Sequence, residues 1–144
     1  MKITKVENLY HHALCVYLRT VIFIQGQDVP VEMEIEHHED NAIYFLGEID
    51  GKPVATARYR ATDGGSTIKI ERVGILDDYR GKGYGNKIMQ HAINDAKLLY
   101  KPKMIKISSQ DHAIPFYESL GFIVDGDGFM EAGIPHHMMT IKTL

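Results

Sequence analysis

Arg80-Gly81-Lys82-Gly83-Tyr84-Gly85 interleaves three glycines with two cations. Glycine permits positive φ and close approach, so successive backbone N–H groups can converge on one point, and converging N–H groups bind anions. The run lies between a strand-like stretch, Ile68 to Leu76, and a helix-like stretch beginning near Asn86, which adds the positive end of a helix dipole. Arg80, Lys82 and Lys87 bring full charge to the same place, and the implied chemistry is phosphate binding. Spacing excludes two versions of it. The third glycine falls at Gly85, whereas a dinucleotide fingerprint needs it at the position of Asn86, and no Gly-Lys-Ser/Thr closes a Walker loop.

Other reactive residue types add no second chemistry. His11-His12, His37-His38 and His136-His137 are adjacent pairs; neighbours on a helix or strand point apart, and no H-x-H or H-x-x-x-H spacing occurs, so no metal is expected. Cys15 is the only cysteine, which excludes an internal disulfide and a cysteine metal cluster. It is read as a small residue of the first helix, off its main stripe.

The 144 residues are read as one domain, 1–144, large enough for a real core. The formal charge of -3 argues against nucleic-acid binding. No apolar run has the length of a membrane span and no signal-like stretch follows Met1, so no membrane partner and a cytoplasmic location are expected. Lys2 to Val6 reads as a strand. Tyr10, Ala13, Leu14, Tyr17, Leu18 and Val21 recur at helical spacing, and the acidic stretch Gln25 to Asp40, interrupted by Pro30, reads as an irregular segment overhanging a site.

From Ala42 the period is that of strands. Ala42 to Ile49 and Pro53 to Thr62 flank the hairpin signal Asp50-Gly51, and Asp63-Gly64-Gly65-Ser66 turns the chain into a third antiparallel strand, Ile68 to Leu76. A long helix follows with Ile88, Met89, Ala92, Ile93, Ala96 and Leu99 as its buried stripe, ending at Lys101-Pro102. Met104 to Ser108 is a strand, and strand-helix-strand implies a parallel pair with the glycine turn at the carboxyl end of the first. Asp111 can cap a short helix carrying Phe116 and Tyr117, with Gly121 as its stop. The final strands are Phe122 to Asp125 and His137 to Leu144, and an edge strand near the C-terminus suits a homodimer. The fold class is α/β (α+β): a mixed, mostly antiparallel sheet with one parallel strand pair at the site and helices on both faces.

Tyr79 to Gly85 between strand and helix, followed after the next strand by Ala113-Ile114-Pro115-Phe116-Tyr117-Glu118-Ser119-Leu120-Gly121-Phe122, resembles the GNAT superfamily of acyl-CoA-dependent N-acyltransferases. Phe23 to Pro30, Thr56-Ala57-Arg58 and Glu131 to His136 resemble its ElaA/YjcF-like branch of small bacterial proteins. The sequence departs from that branch at Gln25-Gly26, where an acidic pair is usual, and at Ser109, where alanine is usual. Gln110 holds the place of a cofactor-contacting asparagine.

The resemblance implies acetyl-CoA as cosubstrate and direct acetyl transfer to a primary amine in a ternary complex, on a small molecule in preference to a protein lysine. Arg80, Gly81, Lys82, Gly83, Tyr84 and Gly85 would hold the pyrophosphate, and Val73, Gly74 and Ile75 would pair with pantetheine and polarise the thioester. Gln110 and Phe116 would complete the cofactor site. Tyr117 is the implied general acid. Glu71, two residues before Val73 and so on the same strand face, is the candidate base, or else a solvated carboxylate paired with its neighbours. Gly74 suggests a bulge or a close approach. Arg58 and Arg60 share a face and bind an acidic substrate group or are outward strand charges; His136 or His137 could line the acceptor pocket. A CoA-binding or metabolite-sensing module without turnover stays open as the alternative.

Overall fold

The computed structural model describes residues 1–31 and 41–143. The His37-His38 pair and most of the stretch expected to overhang the site lie outside the described residues. Strands β1 (Lys2–Lys5), β2 (Ile43–Ile49), β3 (Lys52–Thr62), β4 (Thr67–Ile75), β5 (Met104–Gln110), β6 (Ile123–Val124), β7 (Phe129–Glu131) and β8 (Ile134–Lys142) form one sheet. Its order is β1-β2-β3-β4-β5-β8-β6, with β7 also on β8. Helices α1 (Leu9–Arg19), α2 (Tyr84–Tyr100) and α3 (Ile114–Ser119) pack on it. All strand pairs are antiparallel except β4 with β5.

Local chemistry explains the connections that position the site. Asp50 and Gly51 have φ of 52° and 77°, the two positive values that a two-residue hairpin turn requires. β4 and β5 pair only from Thr67–Met104 to Ile70–Ile107, yet both strands continue, so the sheet opens beyond Ile70. In the same region the β3–β4 register shifts. Thr56 faces Gly74 and Arg58 faces Glu71, so Arg72 and Val73 together oppose Ala57. This is a bulge, with Arg72 at φ 54°, and it increases local twist. The bulge therefore precedes Gly74. Gly74 itself answers to close approach, since a Cβ there would lie 3.0 Å from Ile22 Cδ1 and 3.3 Å from Phe23 Cζ.

One core lies between the sheet and α2, where Tyr59, Ile68, Ile70, Ile105 and Ile107 meet Ile88, Met89, Ala92, Ile93 and Ala96. Fully burying such side chains stabilises by about 1.5–3 kcal/mol each. Leu99, expected in the stripe, is 56% exposed, and at this end of the helix Tyr100 meets Tyr59 edge-on at 6.3 Å. On the other face Cys15, Leu18 and Ile22 pack on Tyr44 and Leu46.

The buried face of α1 is only partly the expected one: Leu18 is fully buried and Leu14 packs beside its cluster, as expected. Tyr10 and Tyr17 are 69% and 54% exposed, while Cys15 and Arg19 are fully buried. The buried set therefore includes a charged residue that no apolar template selects, and the helix runs on into a π-helical turn, Thr20–Gln25, whose wider spacing changes the phase.

Two further expectations are corrected at the C-terminal end. β8 is an interior strand, with β5 on one side and β6 and β7 on the other, so the edge near the C-terminus is β6. β7 and β8 form a hairpin around Ala132-Gly133, both at positive φ. That hairpin extends β8 back to Ile134. Gly121 does end α3: the N–H groups of Gly121 and Phe122 donate to the carbonyls of Glu118 and Tyr117, the Schellman pattern. Asp111 does not cap it, because Ala113 holds the cap position and Asp111 accepts from His137 instead, Nδ1 to Oδ1 at 2.7 Å.

Candidate active site

Gly81 and Gly83 adopt φ of 74° and 85°, the left-handed region in which a Cβ is strained. Gly83 immediately precedes α2. The first N–H groups of a helix have no intrahelical partner, so those of Tyr84, Gly85 and Asn86 remain available together with the positive dipole end. A Cβ on Gly85 would come within 3.2 Å of Phe116 Cζ; the missing side chain lets α2 start against α3. Arg80 is partly committed, with Nε donating to the Ile75 carbonyl at 3.1 Å and Nη1 meeting Asp77 at 3.1 Å.

A cleft of about 890 Å³ runs from this turn into the opening between β4 and β5. Glu71, Val73, Gly74, Ile75, Arg80, Gly81, Gly83, Tyr84, Gly85, Gln110, Phe116 and Tyr117 all line it. Lys82 does not; its ammonium lies 5.6 Å from the centre of the Tyr79 ring. Tyr117 is held edge-on between Phe116 and Phe122. Burial pushes its phenol pKa up, so the hydroxyl keeps its proton through the neutral range.

Glu71 is not a solvated carboxylate. Its side chain is 7% exposed. Oε2 accepts from Arg58 Nε and Nη2 at 3.0 and 2.8 Å, and Oε1 from Arg60 Nε at 3.0 Å, with Lys69 Nζ 3.5 Å away. Burial alone would raise this carboxyl, but the charges and hydrogen bonds of Arg58, then Arg60 and Lys69, outweigh it and hold the group below the usual carboxylate range. Arg58 is fully buried, and its guanidinium also reaches the Tyr44 hydroxyl at 3.3 Å.

Several lining groups were beyond the sequence reading. Gln27 and Gln110 exchange side-chain hydrogen bonds at 2.8 and 3.3 Å across 83 positions of sequence. Of the two late histidines only His136 lines the cleft. Its Nδ1 lies 2.6 Å from the Ile134 carbonyl, which only accepts, so Nδ1 carries the hydrogen and Nε2 faces Glu131 Oε2 at 3.4 Å. His112 also lines the cleft. Cys15 lies in the α1 core with its thiol pKa pushed up by burial. Among the described residues no group of three or more His, Cys, Asp or Glu could hold a metal ion, and no helix is long and apolar enough to cross a membrane.

Comparison with known proteins gives a consistent picture. Residues 23–143 match the acetyltransferase (GNAT) domain family. The chain is 33% identical over 124 residues to the uncharacterised N-acetyltransferase YjcF of Bacillus subtilis, covering 85% of this chain and 86% of that protein. It is 28% identical over 141 residues to ElaA of Escherichia coli, covering 90% and 91% of the two chains. Among solved structures, an acyl-CoA N-acyltransferase from Pseudomonas aeruginosa superposes with a TM-score of 0.86 at 23% identity, over 97% of this chain and 99% of that one.

Proposed function

The chain belongs to the GNAT acetyltransferase family, and from that premise we propose that it transfers an acetyl group from acetyl-CoA to a primary amine by direct attack in a ternary complex. The carrying observation is the cleft that runs from the glycine turn at the start of α2 to Tyr117. The positive φ of Gly81 and Gly83 and the open first turn of α2 fit a pyrophosphate, held chiefly by backbone N–H donors with Arg80 beside them. Bound acetyl-CoA supplies the activated thioester.

The residues of the chain do the rest. The bulge takes Val73 out of the β3 register, which supports its N–H, or that of Gly74, as the donor that polarises the thioester carbonyl. Tyr117 holds a proton for the departing thiolate. Freeing an alkyl ammonium at neutral pH costs roughly 4–5 kcal/mol, so a proton acceptor is needed as well. Glu71 serves this poorly, being depressed in pKa and already accepting from two arginines. Its place is to hold the charged face together. His136 is the alternative candidate, since it lines the same cleft with Nδ1 on the Ile134 carbonyl and Nε2 3.4 Å from Glu131 Oε2.

The test is thiol release from acetyl-CoA against a panel of amines, with Tyr117→Phe alongside. Removing the hydroxyl should lower turnover by about 10² to 10⁴-fold with little change in acetyl-CoA affinity. A variant that keeps more than half of wild-type turnover, with chemistry rate-limiting, removes the acid assignment. Initial-rate lines at varied acetyl-CoA and amine should intersect; parallel lines would point to an acetyl-enzyme.

A further inference from the structure

Arg58 and Arg60 on β3 face Glu71 and Lys69 on β4 in register, so all four side chains share one face of the sheet. The Glu71 carboxylate thus stands among Arg58, Arg60 and Lys69. The row continues sideways, because Lys69 is in register with Lys106 on β5. Like charges directly opposite on neighbouring strands are destabilising, and Arg60, Lys69 and Lys106 form such a row with one partner carboxylate near two of them. Arg60 and Lys69 line the cleft, at 19% and 23% exposure of their side chains. Arg60 gives Glu71 only its Nε; among the described residues its two Nη groups make no hydrogen bond, and this planar fork is suited to an oxyanion. Glu131, 3.4 Å from His136 Nε2, is a second carboxylate in the cleft lining.

We infer that Arg60 and Lys69 form an oxyanion subsite, so that the acceptor is a primary amine carrying a carboxylate or a phosphate. This rests on the transferase reading above and narrows its substrate class. Glu71 belongs to the subsite as its anchor: it holds Arg60 through Nε alone and Lys69 at 3.5 Å, which leaves the Arg60 Nη groups for a bound oxyanion. A polyamine meets repulsion at the same place.

The experiment is calorimetric titration of the full chain, saturated with CoA, by matched ligands: glycine against glycine methyl ester, O-phosphoethanolamine against ethanolamine, and spermidine. The oxyanion-bearing member of at least one pair should bind at least about tenfold more tightly than its neutral partner, as a charge-assisted hydrogen-bonded pair would give. Which pair shows the larger ratio separates carboxylate from phosphate. Arg60→Gln should remove most of that ratio while CoA itself binds as before, and Lys69→Gln should reduce it further in the double variant. Equal binding of both members in both pairs, tighter binding of spermidine, or a ratio that survives in the double variant overturns the subsite. Thiol release with the same ligands plus acetyl-CoA is read separately. Its absence with every amine counts against the transferase reading, whereas the binding ratios judge the subsite whether or not transfer occurs.

Discussion

At the glycine-turn end of the cleft the groups that face a ligand are backbone N–H donors set by the φ values of Gly81 and Gly83 and by the start of α2. At the other end they are side chains of Arg60, Lys69 and Glu71, with the buried Arg58 bonded behind them. The first end comes from a contiguous stretch of chain, and its charges sit at the surface. The second depends on two strands in register, and its central charges are buried. Backbone geometry can be altered there without unfolding the core, whereas removing one buried charge strands another. The two ends should therefore fail differently when mutated, the first by losing ligand and the second by losing stability.

The largest expected effect is Glu71→Gln. Removing one partner of a buried ion pair costs about 3–5 kcal/mol, and Glu71 is bonded to the fully buried Arg58 at 2.8 Å and to Arg60 at 3.0 Å. Denaturant melts measure it; a loss under 1 kcal/mol would mean the cluster is far wetter than its burial indicates. The pH dependence has a definite sign. Glu71 is depressed in the folded state, so its contribution is complete above the unfolded carboxylate value of roughly 4.3 and is lost as pH falls through its lower folded value. The variant should therefore show a weaker loss of stability between neutral and acid pH than the wild type.

Gly83→Asp is the counterpart at the other end. No heavy atom lies within 4 Å of a Cβ built there, so the cost in stability is confined to the left-handed φ of 85°, about 1 kcal/mol. A carboxylate at the start of α2 would repel an anionic ligand from the same N–H groups. CoA affinity should fall by at least about a hundredfold, equivalent to about 2.7 kcal/mol, in a protein that still melts cooperatively. Unchanged affinity by calorimetry would remove the phosphate assignment.

The same contrast explains what could be read from the sequence. The glycine turn, the Asp50-Gly51 hairpin and the Gly121 stop are local, since each follows from residue types within a few positions. The Glu71 cluster is not: Arg58 and Glu71 are 13 positions apart, and only the register across Asp63–Gly65 brings them together. Counting outward from the Thr62–Thr67 pair would have placed Arg60 opposite Lys69 and Arg58 opposite Glu71, so a signal existed. The Arg72-Val73 bulge lies just beyond and breaks that count. The Ala132-Gly133 hairpin was missed because alanine at φ 52° is an uncommon turn residue. The burial of Arg19 was missed because a charge on a helix face normally reads as solvent-facing. The Gln27–Gln110 pair joins distant segments and leaves no periodic trace.

The smallest effect should come from Arg80→Gln, although in sequence Arg80 is the most conspicuous cation of the turn. Its side chain is 51% exposed and already shares its charge with Asp77, and its Nε is bound to the Ile75 carbonyl. Exposed ion pairs contribute about 0.2–1 kcal/mol, and a phosphate contact made by this guanidinium would compete with both existing partners. If backbone N–H groups hold the anion, the loss in CoA affinity should stay within about fivefold, and it should shrink further as salt screens the exposed charge. Calorimetry at low and high ionic strength distinguishes the cases. A loss approaching that of Gly83→Asp, persisting at high salt, would mean that the side chain and not the backbone seats the phosphate, and the contrast between the two ends of the cleft would no longer hold.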